Sequence, residues 1–353
     1  MRKISSVQIL AALVLILSAG CSGGASNPAI APTASLARAH DDQSVTTNGL
    51  IAVLGTFNRP KSGYRGTSFN TCPAKGQIEY VSDFHDLSVS IFAGDFAGQS
   101  PCGILTGFTQ PAGLFVRSGN LYVADDLGQE VFAFHRGASA PFMTYHDPHC
   151  GGERELAVAI SNDGFLYAAS LGQMQTCLGS ISAWNRSSGA LIGNYPFPNQ
   201  SYPRFLSFQM NGTLYADDTS RLWVTTCSNG RCGTFEDTGT AGSLHNGVRS
   251  IHNDADIVLA EAYSPGGKLD TFTLPDFDEG PTGVCQFELN SPLSIALNAS
   301  EHHVFVTDPV LGIASEQKYP SGGGNGGACG VIGTVETTGR LPVGVAVDPP
   351  EPN

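Results

Sequence analysis

Five acidic residues, Asp83, Asp125, Asp218, Glu261 and Asp308, close short segments of similar make-up. The segments are Glu79-Tyr80-Val81-Ser82-Asp83, Leu121-Tyr122-Val123-Ala124-Asp125, Leu214-Tyr215-Ala216-Asp217-Asp218, Ile257-Val258-Leu259-Ala260-Glu261 and Val304-Phe305-Val306-Thr307-Asp308. Carboxylates gathered from several segments can hold a divalent cation or act as a general acid and base. The same residues at strand ends can instead cap their own tight turns by accepting main-chain N–H groups. Recurrence favours the second role, because a catalytic centre would break the repeat symmetry. Two histidine pairs, His146-Asp147-Pro148-His149 and His302-His303, could ligate a metal. The first flanks a proline beside Cys150 and the second falls between two strand segments, so both read as exposed turn residues. The chain has no G-x-S-x-G elbow and no glycine-rich phosphate loop ahead of a helix. The run Ser321-Gly-Gly-Gly-Asn-Gly-Gly-Ala-Cys329 lacks the lysine of such a loop and reads as a hairpin tip.

Nine cysteines need a compartment before they can be read. Arg2 and Lys3 precede an apolar run, Ile9 to Leu17, that is too short to span a bilayer and reads as a secretory signal. The run ends in Leu17-Ser18-Ala19-Gly20-Cys21, which resembles the lipobox of bacterial lipoproteins. That resemblance implies removal of residues 1–20, a diacylglyceryl thioether on Cys21, and anchoring to a membrane by acyl chains rather than by a helix. Ser22 after the cysteine would permit sorting to the outer membrane in a Gram-negative cell. Eight cysteines remain: Cys72, Cys102, Cys150, Cys177, Cys227, Cys232, Cys285 and Cys329. An even number outside the cytoplasm suggests disulfides, and spacing alone leaves the connectivity open. Cys227 and Cys232 bracket an Asn-Gly turn, a spacing that suits a hairpin staple better than a zinc knuckle.

These residues must be positioned by a repeat. The aromatic or branched residues Tyr80, Tyr122, Tyr167, Tyr215, Val258 and Phe305 recur at intervals of 42 to 48, the length of four short strands with their turns. The sixth copy, Leu166-Tyr167-Ala168-Ala169-Ser170, ends in serine. Five of the copies follow another strand-like segment, such as Pro111-Ala112-Gly113-Leu114-Phe115-Val116 or Pro292-Leu293-Ser294-Ile295-Ala296-Leu297. Ser118-Gly119-Asn120, Asn162-Asp163-Gly164 and Asn211-Gly212 lie between them as hairpin signals. A third strand follows each copy, as in Val131-Phe132-Ala133-Phe134 and Ser180-Ile181-Ser182-Ala183-Trp184, and a fourth is weaker. Pro342-Val343-Gly344-Val345-Ala346-Val347 is a first strand without a second, and Tyr80 lies in a second strand without a first. The termini therefore complete one sheet together, the closure by which a ring leaves no long sheet edge.

The expected fold is an all-β, six-bladed β-propeller over residues 76–349, its last blade closed by N- and C-terminal strands. Residues 21–48 read as a flexible tether, 49–75 as a lead-in packed on the ring, and 350–353 as a tail. The Pro-Ala-Gly-Leu-Phe-Val and Leu-Tyr-Val-Ala-Asp-Asp runs resemble the NHL repeat and its relatives among six-bladed, TolB-like propellers. In such a propeller, Cys150 and Cys177 share one face of neighbouring blades and pair. Cys72 and Cys102 share the other face and fasten the closing blade, which leaves Cys285 for Cys329. The resemblance also implies an alternative use of the carboxylates, since sugar lactonases of the six-bladed class use a central divalent metal.

Composition narrows the partners. Lys+Arg number 18 against 31 Asp+Glu, a net charge of −13 that signal removal makes more negative, so a nucleic acid would be repelled. Glycine (43) and proline (21) are abundant and only 14% of residues are charged, which disfavours long helices, while 41% hydrophobic residues suffice for a core. The expected function is that of an exported, lipid-anchored scaffold that binds a protein or small molecule at the cell envelope, with no cofactor. A metal-dependent hydrolase or lactonase is the alternative, with a divalent cation on Asp83, Asp125, Asp218, Glu261 and Asp308.

Overall fold

The computed structural model describes residues 68–96, 99–148, 155–171, 179–198, 202–209, 211–218, 221–239, 245–250, 256–261, 268–273, 282–286, 289–300, 302–319, 329–337 and 339–348. For Glu155 and the four strands between 245 and 286 only the main chain is described. Cys21, the signal and tether segments, Cys150, Cys177, and the side chains of Glu261 and Cys285 lie outside the described residues. Among the described residues every regular element is a β-strand, and no helix is long and apolar enough to cross a membrane.

The described strands begin in one sheet with β1 (Phe69–Asn70), β2 (Ile78–Asp83), β3 (Ser88–Ala93) and β4 (Gly103–Leu105). Three complete antiparallel sheets follow. They are β5 (Pro111–Arg117) to β8 (Met143–His146), β9 (Glu155–Ile160) to β12 (Leu191–Pro196), and β13 (Phe205–Phe208) to β17 (Glu236–Asp237). In the last of these β14 is Thr213–Asp217, β15 is Leu222–Ser228 and β16 is Arg231–Cys232. Next come β18 (His245–Ser250) to β21 (Thr282–Gln286), and β22 (Ile295–Leu297), β23 (His303–Asp308), β24 (Ile313–Lys318) and β25 (Val331–Glu336). The final strand, β26 (Pro342–Asp348), returns to pair with β2, giving a five-stranded sheet in the order β1-β4-β3-β2-β26. Residue 69 of the lead-in thus supplies an outer edge strand of the closing blade, opposite Ile104.

The first strands of the six sheets touch in cyclic order: β26 beside β5, β5 beside β9, β9 beside β13, β13 beside β18, β18 beside β22, and β22 beside β26. The result is a six-bladed propeller whose closing blade joins the two ends of the chain. Close approach of the inner strands explains the Pro-x-Gly start. A Cβ on Gly344 would lie 2.2 Å from the Ala112 carbonyl oxygen, and one on Gly113 would lie 2.6 Å from the Ala157 Cα. Tyr80, Tyr122, Tyr167, Tyr215 and Phe305 are all buried between blades, where the 42-to-48 repeat places them. Polar pins supplement this packing on both sides of the closing blade. Ser82 Oγ donates to the Ala112 carbonyl (2.5 Å) and accepts from Gly344 N–H (2.8 Å). Thr307 Oγ1 donates to the Val343 carbonyl and accepts from Ser294 N–H, both at 3.1 Å. Ala124, Ala169 and Ala260 occupy this position in three other blades.

Two disulfides close within blades, Cys72–Cys102 and Cys227–Cys232. The second spans a hairpin whose Asn229 and Gly230 have φ of 52° and 75°, as the Asn-Gly signal requires. Cys329 is also disulfide-bonded.

Candidate functional site

Acidic side chains stand at the C-terminal ends of several second strands, and one more, Glu79, stands near the start of β2. At the C-terminal ends of β2 and β23, Asp83 and Asp308 are buried and hydrogen-bonded in nearly the same way. Asp308 accepts four main-chain N–H groups, from Asn290 and Ser291 of the incoming connection and from Val310 and Leu311 of its own turn. Asp83 accepts N–H from His85 and Asp86 in its turn, and N–H from Leu341 and the hydroxyl of Thr337 in the connection leading to β26. Asp125 on β6 (Asn120–Asp125) takes Thr109 and Gln110 N–H at 2.7 and 2.5 Å. Burial pushes its carboxyl up to about 6, against the opposing effect of N–H donors from Thr109, Gln110 and Gly128. Asp218 accepts Arg221 N–H and the indole N–H of Trp223. Each of these carboxylates ties the outer turn of its blade to other main chain or to a core indole.

The opposite ends of β2 and β23 are arranged differently. Alternation along β2 sends Tyr80 and Ser82 toward β5, and sends Glu79, Val81 and Asp83 toward the β22–β25 blade. The apolar part of that seam is Val81, Phe92, Phe96, Phe305, Ala314, Val335, Val345 and Val347. Phe96 meets Phe92 and Phe305 edge-on, with centroids at 5.5 and 5.3 Å. Beside these rings Glu316, on β24 opposite Phe305, is buried with Oε2 accepting Phe96 N–H (2.8 Å) and Oε1 2.6 Å from His303 Nδ1. One ligand atom each from Asp95, His303 and Glu316 lies within 4.8 Å of the others.

Glu79 completes the group from the closing blade. Gln77 Nε2 donates to its Oε1 at 2.6 Å, and Asn298 Nδ2 donates to the Gln77 side-chain oxygen Oε1 at 3.5 Å. Its Oε2 is buried without a hydrogen-bond partner. Burial is the main reason its carboxyl is pushed up to about 8, with the charges of Glu316 and Asp95 adding to the effect. Among the described residues no lysine or arginine pairs with Glu79, Asp95 or Glu316.

His302 is exposed in its turn, His146 is exposed but ends β8, and His149 lies outside the described residues, whereas His303 begins β23 half-buried against Glu316. Asp95, Glu316 and Glu79 were not singled out by motif. Glu79 nevertheless had a signal, because the same repeat position holds Leu121, Leu166, Leu214, Ile257 and Val304.

No protein-family model matches the sequence, and no curated protein matches it significantly. Solved structures do. A protein of unknown function from Desulfotomaculum acetoxidans aligns with 14% identity over 78% of this chain and 99% of its own, with a TM-score of 0.53. A putative 6-phosphogluconolactonase from Bacteroides fragilis aligns with 14% identity over 80% of this chain and 86% of its own, with a TM-score of 0.51. At that identity the likeness is one of fold, and it agrees with the propeller described above.

Proposed function

We propose that the protein is an exported, lipid-anchored β-propeller that serves as a binding or protein-interaction scaffold at the cell envelope, at the outer membrane if the cell is Gram-negative. The lipobox-like run ending at Cys21 supports the anchor, the NHL-like repeat supports an interaction role, and the disulfides fit an oxidising compartment. The observation that carries the scaffold reading over a hydrolase is the saturation of Asp83 and Asp308. A carboxylate offers about four lone-pair sites, and here each meets four donors. A cation on those oxygens would have to displace main-chain N–H groups that hold the blades together. Affinity then resides in the variable loops and the channel mouth, for a protein or small-molecule ligand.

The purified full chain, offered sugar lactones with Ca2+, Mn2+ or Zn2+, is expected to give no turnover above an Asp125→Asn variant. Metal-dependent turnover that Asp125→Asn abolishes would replace the scaffold with a metal-dependent lactonase, in keeping with the lactonase activity ascribed to one structural neighbour. For the anchor, Cys21→Ala is expected to move the protein from the membrane to the soluble fraction; unchanged membrane retention overturns it.

A further inference from the structure

We propose that the seam between the β22–β25 blade and the closing blade is a divalent-cation site, with Asp95, His303 and Glu316 as ligands and Glu79 as a further carboxylate. The cation is of the zinc class, because the set combines one imidazole with carboxylates, whereas calcium and magnesium prefer oxygen alone.

Three features point to an ion rather than to a chance acidic cluster. The ligand atoms of Asp95, His303 and Glu316 already lie within 4.8 Å of one another, and carboxylates around tetrahedral zinc stand about 3.4 Å apart, so small rotamer changes complete the shell. Second, Glu79 Oε2 is fully buried without a partner on the face of β2 that meets Glu316, and such an atom costs stability unless a cation or donor satisfies it. Third, the charge does not balance. Three carboxylates share one imidazole, and among the described residues no lysine or arginine pairs with them.

The surroundings also hold the ligands in place. Phe96 N–H fixes one oxygen of Glu316, and the Gln77 amide fixes one oxygen of Glu79, leaving the second oxygen of each carboxylate directed to other partners. Phe92, Phe96 and Phe305 wall the inner side against water, while exposed Asp95 provides the way in. Asp95 and Glu79 come from the N-terminal part of the chain, and His303 and Glu316 from a blade more than two hundred residues later. A bound ion would therefore lock the N-terminal strands of the closing blade to their neighbour. This site is separate from Asp83, Asp125 and Asp308, so it stands whether the propeller is a scaffold or a hydrolase.

The test is zinc titration of the untagged, EDTA-stripped full chain by calorimetry, with thermal unfolding at each zinc concentration. One zinc per chain is expected, with a rise in Tm of roughly 5 °C at a hundredfold excess over Kd. Asp95→Asn and His303→Ala should each weaken binding roughly tenfold or more and remove the Tm rise. Asp95 is exposed and should leave the metal-free Tm unchanged on substitution, so a folding defect does not obscure the result. No saturable zinc binding, or binding that both variants retain at full affinity, overturns the proposal. So does calcium binding as tightly as zinc in the wild-type chain.

Discussion

At one end of β2 and β23, Asp83 and Asp308 each gather four hydrogen bonds, and seven of the eight donors are main-chain N–H groups. Toward the other end of β2, about 13 Å away along the strand, Glu79 is equally buried, as is Glu316 on β24 across the seam, yet Glu79 keeps an oxygen without a partner. The side-chain chemistry is the same and the surroundings differ. At the first end the incoming connection and the outgoing turn both present N–H groups, a geometry that every blade can repeat. At the second end the carboxylates lie across one seam only, and their hydrogen-bond partners are an imidazole, a side-chain amide and a single main-chain N–H. A repeated carboxylate is spent on architecture, while the carboxylate that interrupts the repeat is available for chemistry.

The largest expected effect lies at the saturated end. Replacing Asp308 or Asp83 by alanine leaves four donors at a part-buried turn without their acceptor, so chemical denaturation should show a loss of about 3–5 kcal/mol. The comparison breaks if either substitution costs no more than Asp95→Asn, for which a change within about 0.5 kcal/mol is expected. Reducing or replacing the Cys72–Cys102 bond should cost about 2–4 kcal/mol, since it ties the outermost strand into the closing blade. Ser82→Ala and Thr307→Val should each cost about 1 kcal/mol, the net value of pins that three other blades do without.

Glu79→Gln gives the most diagnostic change, with the opposite sign. In metal-free protein the folded-state carboxyl titrates near 8 instead of its ordinary 4.5, so the folded form holds a proton that the unfolded chain has already released. That group's contribution therefore falls as pH rises from about 4.5 to about 8. Glutamine carries no such proton, so denaturation of metal-free Glu79→Gln is expected to show a flatter fall over that window and higher stability at pH 8. A variant less stable than wild type at pH 8 would mean that Glu79 is already satisfied without an ion.

Much of the architecture was legible because it follows from local rules repeated six times. The Tyr-containing strands, the Gly-bearing turns and the unpaired segments at 78–83 and 342–348 fix six sheets and their closure. The Asn229-Gly230 staple follows from turn chemistry alone. The seam site was less legible because its members come from four places in the chain with no fixed spacing, and because Glu316 lies on a third strand, whose sequence varies. His303 reads as a turn residue because its partner, Glu316, lies on the following strand at no spacing that a motif marks. Only Glu79 stood out, as an acid in a position otherwise filled by leucine, isoleucine or valine. The short β1 strand was hidden by the irregular composition of residues 49–75, where two residues suffice to extend a sheet.

The division between spent and available carboxylates is tested most directly by anomalous diffraction at the zinc absorption edge, from crystals of the full chain equilibrated with zinc. One anomalous peak is predicted, between Asp95, His303 and Glu316, with Asp83, Asp125 and Asp308 still bound to their N–H donors. A peak shared by Asp83, Asp125 and Asp308, with none at the seam, would contradict the account.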